Sequence, residues 1–285
     1  MWIAFLFASL FSNTGYSIVA RRTFNKVHID PIFLAAIMAT SVAVPGMPGI
    51  FIAKINWGVY DLRLGLILAA SVACATVYHF VNAKALELTE ASVFSIFYNF
   101  QIGFATLMGI TIFGESFVPM RLFGGILVFA AGLVLAGKGT AHPAGVFFSI
   151  LTAALIATLS AFDKYLMAEA GFAEYVFPSK LMVAAALWII VIVTKRHVCM
   201  EFVKSRWCPI LMCFRCVAAY GLILALSMGA LLSVSTYIAS LSCVTTPIAA
   251  YFLLKEKGSS ARKATAAAIA LAGVTFIFIA ARGSV

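Results

Sequence analysis

The chain alternates long apolar runs with short polar joints. Runs of about 20 apolar residues are long enough to cross a bilayer as a helix. We expect each run to be α-helical, because an open strand edge leaves backbone groups without hydrogen-bond partners in lipid. The predicted segments, numbered 1 to 10 in chain order, are 2–20, 31–53, 64–82, 91–113, 119–136, 145–162, 175–194, 209–228, 234–254 and 264–281.

The composition fits this pattern. Of the 285 residues, 64% are hydrophobic and 11% are charged, and the mean hydropathy is +1.07. Soluble domains contain about 45–50% apolar and about 25% charged residues. The values exclude a soluble enzyme, a disordered chain and a disulfide scaffold, and they indicate an all-α integral membrane protein.

The charge is strongly basic, with 20 Lys and Arg against 10 Asp and Glu. In a soluble protein this excess would suggest a nucleic-acid partner. Here the basic residues lie beside apolar runs, where they anchor helices to the lipid bilayer, so we expect no nucleic acid. The joints after segments 1, 3, 5, 7 and 9 hold 13 Lys and Arg, against 5 in the other joints and the C-terminal tail. The positive-inside rule then places both termini outside the cytoplasm.

The sequence contains no pattern typical of catalysis. Cys213 and Cys216 form a C-x-x-C, but they lie in an apolar segment, where free cysteine packs as a small hydrophobe. There is no glycine-rich phosphate loop, no metal-ligand spacing and no Ser/His/Asp set. We therefore expect no enzyme activity, no cofactor and no metal.

The sequence also repeats weakly over a long period. Glu115 follows segment 4, and Glu256 follows segment 9. We call the separation of these two glutamates the repeat spacing, and Gly132 and Gly273 are separated by the same interval. We predict two five-helix domains, 1–140 and 141–285. Because five is odd, the second copy enters the membrane inverted, which is typical of secondary transporters that hold substrate between the copies.

Polar side chains at membrane depth point to a candidate site. Such groups are costly when they face lipid without partners, so we expect them to face the interior of the bundle. Each one alone can be an interhelical hydrogen bond, whereas together they favour a polar cavity that binds a small molecule. The candidate substrate-binding residues are Asn13, Tyr16, Tyr78, His79, Tyr98, Asn99, Gln101, Tyr220, Thr236, Tyr237 and Ser240.

Few charged residues lie inside the segments. Asp163 falls at the end of segment 6, and no acidic residue is predicted near the middle of any segment, so carboxylate-driven antiport has no evident carrier. Lys180 lies near the start of segment 7, and we expect its ammonium group to extend to the membrane interface. Arg215 lies about two turns inside segment 8. Its guanidinium can either extend to the membrane interface or hold an anionic group of a substrate.

The most specific pattern runs from segment 3 to segment 5. It has an Ala-Leu pair, an Ala-Ser pair that opens segment 4, a Gly-Glu turn that closes it, and glycines in segment 5. These are Ala85-Leu86, Ala91-Ser92, Gly114-Glu115, Gly124-Gly125 and Gly132. The chain resembles the EamA domain of the drug/metabolite transporter (DMT) superfamily over nearly its whole length. It departs from the family at Ile102 and Cys243, where that family often has proline.

The resemblance implies ten transmembrane helices in two inverted five-helix repeats. It also implies a multi-pass protein of the cell (inner) membrane, with segments 1, 3, 4, 6, 8 and 9 lining a central cavity. Such proteins have cytoplasmic termini, in conflict with the count of basic residues, so the orientation stays open.

The function that the resemblance implies is secondary active transport. The protein, a monomer or homodimer, would export a small metabolite, such as an amino acid or a related organic solute, by alternating access. The alternatives are a passive channel with a continuous pore, and a membrane scaffold or receptor-like protein with no transport activity. In a scaffold the polar residues would pair with one another and leave no cavity.

Overall fold

The computed structural model describes residues 2–26, 29–114, 119–136, 142–228, 232–255 and 260–282. All regular secondary structure in these ranges is helical. Seven helical stretches are long and apolar enough to cross a membrane, and Ile238–Leu253 is a shorter apolar helix. The prediction of an all-α, multi-pass membrane protein is therefore confirmed.

Fourteen α-helices follow one another along the described chain. They are, as α1 to α14, Trp2–Lys26, Pro31–Ala43, Gly46–Ile52, Leu62–Leu88, Ala91–Tyr98, Gln101–Phe113, Pro119–Ala136, Pro143–Glu169, Phe172–Val193, Met200–Lys204, Trp207–Ser227, Leu232–Ser240, Ser242–Leu253 and Ser260–Arg282. Helix α2 is largely buried, with ten of its thirteen residues buried. It packs against α4, α9 and α11, and the largest apolar cluster lies there.

Local sequence signals set several helix ends. Asp30 caps α2 by accepting a hydrogen bond from the backbone N–H of Ile32, and Pro31 is the first helical residue. Asp61 caps α4 in the same way. Gly171 separates α8 from α9 and has a φ of 99°, which a residue with a side chain rarely adopts. The turn between these two helices is therefore tight.

Three predicted segments are each divided into two helices. Segment 2 becomes α2 and α3, with a turn at Val44 and Pro45. The other two divided segments have no proline at the break. Segment 4 becomes α5 and α6, with a turn at Asn99 and Phe100, and segment 9 becomes α12 and α13, with a turn at Leu241. A hydrogen bond joins these two turns, because the Asn99 side-chain amide donates to the backbone carbonyl of Ser240 at 3.1 Å. An inserted side chain of this kind is a recognised cause of a helix break.

One predicted helix end is wrong in a way that affects the site. The sequence pattern ends segment 6 at residue 162, but α8 continues to Glu169. Its last turns are held by Leu166, which is fully buried against Tyr175 and Val176 of α9. Asp163 consequently lies inside a membrane-spanning helix.

Five of the seven pairs of helices related by chain order begin at a constant interval, whereas α3 and α10, and α4 and α11, do not. α1 begins at residue 2 and α8 at residue 143, which is the repeat spacing of the sequence. The same interval separates the starts of α2 and α9, α5 and α12, α6 and α13, and α7 and α14. Backbone geometry repeats too, because φ is positive at Lys54 and Lys195 and at Gly114 and Lys255.

The helix contacts follow the same pairing. The most extensive contacts are α7 with α14, α1 with α11, α4 with α8, and α2 with α9. This set is unchanged when each helix is replaced by its counterpart seven helices away. The strongest contacts of the described helices are therefore symmetric, whereas the contact of α2 with α4 has no comparable counterpart between α9 and α11.

Candidate functional site

A cavity of about 120 Å³ lies inside the bundle. On the same measure a buried water needs about 10–15 Å³, so the space holds several waters or a small solute. Its walls come from α1, α2, α4, α5, α6, α8, α9, α11 and α12. No described residue of α7 or α14 lines it. The cavity therefore lies where the helices of the two halves meet.

The cavity lies nearer to the membrane face that carries the two chain termini. At that face the lining reaches Ile223, four residues before the end of α11, and Ser235, three residues after the start of α12. Towards the opposite face the lining stops at Arg215, eight residues after the start of α11. That distance is about 12 Å of helix.

Contacts between the helix ends join α1 to its neighbours near the opposite face. The Arg21 guanidinium donates hydrogen bonds to the backbone carbonyls of Leu86 and Glu87, at 3.1 and 2.5 Å, and so joins α1 to α4. The Arg22 guanidinium lies over the ring of Trp207 at the start of α11, 4.4 Å from its centroid. These contacts lie between the cavity lining and that face.

The structure brings six of the eleven candidate residues to the cavity wall. They are Asn13, Tyr78, His79, Tyr98, Gln101 and Thr236. His79 and Gln101 are buried, and His79 Nδ1 and Gln101 Nε2 have no hydrogen-bond partner among the described residues. Because buried polar atoms are nearly always paired, these two exceptions call for an explanation. A bound ligand could supply the missing partner of each.

Two candidate tyrosines lie just behind the wall. The buried ring of Tyr16 lies against the guanidinium of Arg215, with its centroid 5.4 Å from Cζ. The Tyr220 hydroxyl donates to the backbone carbonyl of Val42 at 3.0 Å. Tyr16 thus shapes the wall through Arg215, and Tyr220 ties α11 to α2.

The remaining candidates do not line the cavity. Asn99 and Ser240 are fully buried and contact each other at the helix breaks, and the Ser240 hydroxyl donates to the backbone carbonyl of Thr236. The side chain of Tyr237 lies outside the described residues. Asn99 and Ser240 are therefore placed to shape the backbone beside the cavity.

Arg215 also lines the cavity. The sequence left two roles open for it: extending to the membrane interface, or holding an anionic group of a substrate. Only 8% of it is exposed, so it does not extend to the interface. Its guanidinium lies 5.4 and 5.6 Å from the ring centroids of Tyr16 and Tyr78. Among the described residues no carboxylate lies within 4 Å of it, and its Nε atom has no hydrogen-bond partner.

Asp163 and Lys180 also line the cavity, and both positions correct the sequence-based expectation. Lys180 does not reach the interface, because its Nζ lies 3.5 Å from Oδ1 of Asp163. The same carboxylate oxygen accepts a hydrogen bond of 2.5 Å from the Tyr175 hydroxyl. The chain did contain a signal, since the two residues lie eight and nine positions on either side of the turn at Gly171. In an antiparallel helix pair, equal distances from the turn mean equal depth.

No group of three or more His, Cys, Asp or Glu side chains in the described ranges is arranged to hold a metal ion. What the wall offers is one carboxylate, two cationic groups, amides, hydroxyls and aromatic rings.

Comparison with known proteins gives the fold alone. No protein-family model matches the chain, and no curated protein matches it. A solved crystal structure of a protein is similar, with a TM-score of 0.69 and 17% sequence identity. The similarity covers 97% of this chain and 96% of that chain. The fold and the cavity therefore define an all-α, multi-pass membrane protein with a polar site between its helices.

Proposed function

We propose that the protein is a secondary active transporter that exports a small organic metabolite by alternating access. It would be an EamA-type member of the DMT superfamily, in a cell (inner) membrane. Its ten transmembrane helices would form two inverted five-helix repeats, 1–140 and 141–285. The observation that carries the proposal is the polar, partly unpaired cavity at the meeting point of the two halves.

The repeat is supported by the constant interval between equivalent helices. Five pairs of helices start at the repeat spacing, and two pairs of positive-φ residues follow it. The hydrogen bond between Asn99 and Ser240 joins residues that are separated by the same interval. Counterpart residues meet directly only near a two-fold axis. This contact therefore favours a pseudo-two-fold axis at the helix breaks, where inverted-repeat transporters hold their substrate.

Alternating access is favoured by the position of the cavity. Its lining approaches the face with the termini and ends about 12 Å of helix from the opposite face. A channel needs a continuous path, whereas the lining formed by the described residues ends short of the opposite face. Two inverted halves can exchange conformations, and the exchange would move the opening to the other face.

The scaffold alternative is disfavoured by the unpaired groups. In a scaffold the polar side chains would satisfy one another. Here the His79 Nδ1, Gln101 Nε2 and Arg215 Nε atoms are all buried, have no hydrogen-bond partner in the part of the chain that the structure describes, and belong to residues that line one cavity. Leaving such groups unpaired is costly, and a bound solute would remove the cost.

Saturable flux tests the proposal. The purified protein is reconstituted in liposomes, and uptake of labelled amino acids, nucleosides, organic anions and organic cations is measured against concentration. We expect saturable flux of at least one compound. We expect Gln101→Ala and Tyr98→Phe to change its KM or rate by about tenfold, the usual effect of removing one hydrogen bond to a substrate.

The matched control for these variants is Thr111→Ala. Thr111 lies on the same helix as Gln101, but it is exposed and its hydroxyl donates to its own helix. Flux in this variant should equal that of the unmodified protein. Non-saturating flux would favour a channel, and no flux of any compound would favour a scaffold or receptor.

A further inference from the structure

The charged groups of the cavity wall do not cancel. The charged side chains that line it are Asp163, Lys180 and Arg215. Asp163 and Lys180 form an ion pair with each other. Arg215 lies among aromatic rings, with no carboxylate of the described residues beside it. The wall therefore carries one uncompensated positive charge at membrane depth, where a lone charge is costly.

Helix packing does not explain the charge of Arg215. At the repeat spacing, Arg215 corresponds to Cys74 and Lys180 to Ala39. Cys74 is uncharged and partly buried, so the packing at the place equivalent to Arg215 in the other half does not need a charged side chain. A charge that packing does not require is expected to have a binding role.

Resting on the transport function proposed above, we propose that the cavity binds a small organic monocarboxylate, with Arg215 as its counter-ion. A guanidinium matches a carboxylate through two parallel hydrogen bonds. The carboxamide nitrogen of Gln101, unpaired and on the same wall, is a further donor for the anion. A bound monocarboxylate brings the charge of the site to zero.

Other charge classes fit this wall less well. A zwitterion brings no net charge and leaves the charge of Arg215 uncompensated within the site. An organic cation adds to it. A phosphate monoester carries about −1.5 to −2 charges at neutral pH, more than the single positive charge of the wall. About half of the lining residues are apolar, among them Leu10, Leu159 and Leu222, and they can accept the hydrocarbon part of a carboxylate.

Ligand-dependent thermal stability of the purified full-length protein tests the charge class without requiring transport. The probes are straight-chain carboxylates from acetate to hexanoate, primary alkylamines of the same lengths, and the amino acids from glycine to norleucine, all at constant ionic strength. We expect a saturable rise in Tm with at least one carboxylate, because a ligand that binds only the folded state stabilises it. We expect none with the amine or the amino acid of the same chain length.

Substitution of Arg215 then assigns the binding to this residue. We expect Arg215→Gln to raise the Kd of the carboxylate by about 10- to 100-fold, as for a lost hydrogen bond to a charged group. Arg215→Lys keeps the charge but loses the planar fork, so its Kd should lie in between. The control is Arg206→Gln, because Arg206 also lies over an aromatic ring but is exposed and outside the cavity; the Kd of the carboxylate should not change in this variant.

Three results would overturn this assignment: no carboxylate binds, amines or zwitterions stabilise the protein as strongly, or Arg215→Gln keeps the full carboxylate affinity. Failure of the transport proposal is distinguishable from these. Saturable flux of an amine or an amino acid would support transport and refute the anion site. Carboxylate binding that depends on Arg215, without flux in liposomes, would support the anion site and refute transport.

Discussion

At the scale of single residues, the Asp163–Lys180 pair is the charged contact on which the geometry of the cavity wall depends. The side chains are only 13% and 17% exposed, so neither charge is well solvated alone. The Tyr175 hydroxyl holds the carboxylate from α9, and its own oxygen lies 3.1 Å from the Ser71 hydroxyl of α4. This short network links α8, α9 and α4 beside the cavity.

We predict that Asp163→Asn destabilises the protein by up to about 3–5 kcal/mol, because it leaves Lys180 buried without its counter-ion. The measurement is thermal or denaturant unfolding of the purified protein. Adding Lys180→Met should restore part of the loss, since the pair is then removed together. The control is Glu87→Gln, which breaks the half-exposed pair with Lys84 and should cost no more than about 1 kcal/mol. Equal losses in Asp163→Asn and Glu87→Gln would contradict the prediction.

Residue types at membrane depth predicted part of the site. Tyr78, His79 and Gln101 were found because a polar group in an apolar run needs a partner. That rule does not say whether the partner is a ligand or another residue, so it also selected Asn99, whose partner is the backbone of Ser240. Asp163 was missed because the apolar run stops before the helix does.

At the scale of helices, close approach of α1 and α11 depends on a missing side chain. A Cβ atom on Gly221 would lie 2.8 Å from the backbone oxygen of Phe5 and 3.1 Å from Cβ of Ser9. Small residues allow helix backbones to approach in lipid, where dispersion and hydrogen bonds replace hydrophobic association. Because the two helices are close here, the Ser9 hydroxyl can donate a hydrogen bond to the backbone carbonyl of Ala218, at 2.6 Å.

We predict that Gly221→Ala lowers the free energy of unfolding by about 1–3 kcal/mol, the usual cost of overpacking, because the clash is with backbone atoms that cannot move aside. Unfolding of the purified variant measures the loss. The matched control is Gly103→Ala, since a Cβ at Gly103 would meet nothing within 4 Å. That substitution should be neutral or stabilising by up to about 1 kcal/mol. If Gly221→Ala is as stable as the control, α1 and α11 do not pack as described.

Helix positions were largely predictable, whereas helix breaks were not. Apolar runs located the spans because lipid imposes both the length and the hydropathy of a crossing helix. The turns at Asn99–Phe100 and at Leu241 contain no proline, so no local signal marks them. They depend on a hydrogen bond between Asn99 and Ser240, which are far apart in the sequence and which only the assembled bundle brings together.

At the scale of the whole molecule, five pairs of described helices begin at the repeat spacing, and the four most extensive interhelical contacts are preserved when each helix is exchanged for its counterpart. The weak sequence repeat has the same interval as the starts of these five pairs. It could not indicate where the cavity lies between the two faces, because that depends on how the helix ends pack, as in the contacts of Arg21 with α4. On the proposal of inverted repeats, we expect a second conformation in which the two ends of the cavity exchange roles.

Access to the cavity from each membrane face tests this claim most directly. Ser160 lines the cavity and its hydroxyl donates to its own helix, so Ser160→Cys is nearly isosteric there. In a background with the six native cysteines replaced by alanine, the variant is placed in liposomes and treated with a membrane-impermeant thiol reagent on one face at a time. We predict modification from both faces, at rates that a transported solute shifts in opposite directions, while the membrane stays sealed to the reagent. Modification from one face only, with or without solute, would contradict alternating access.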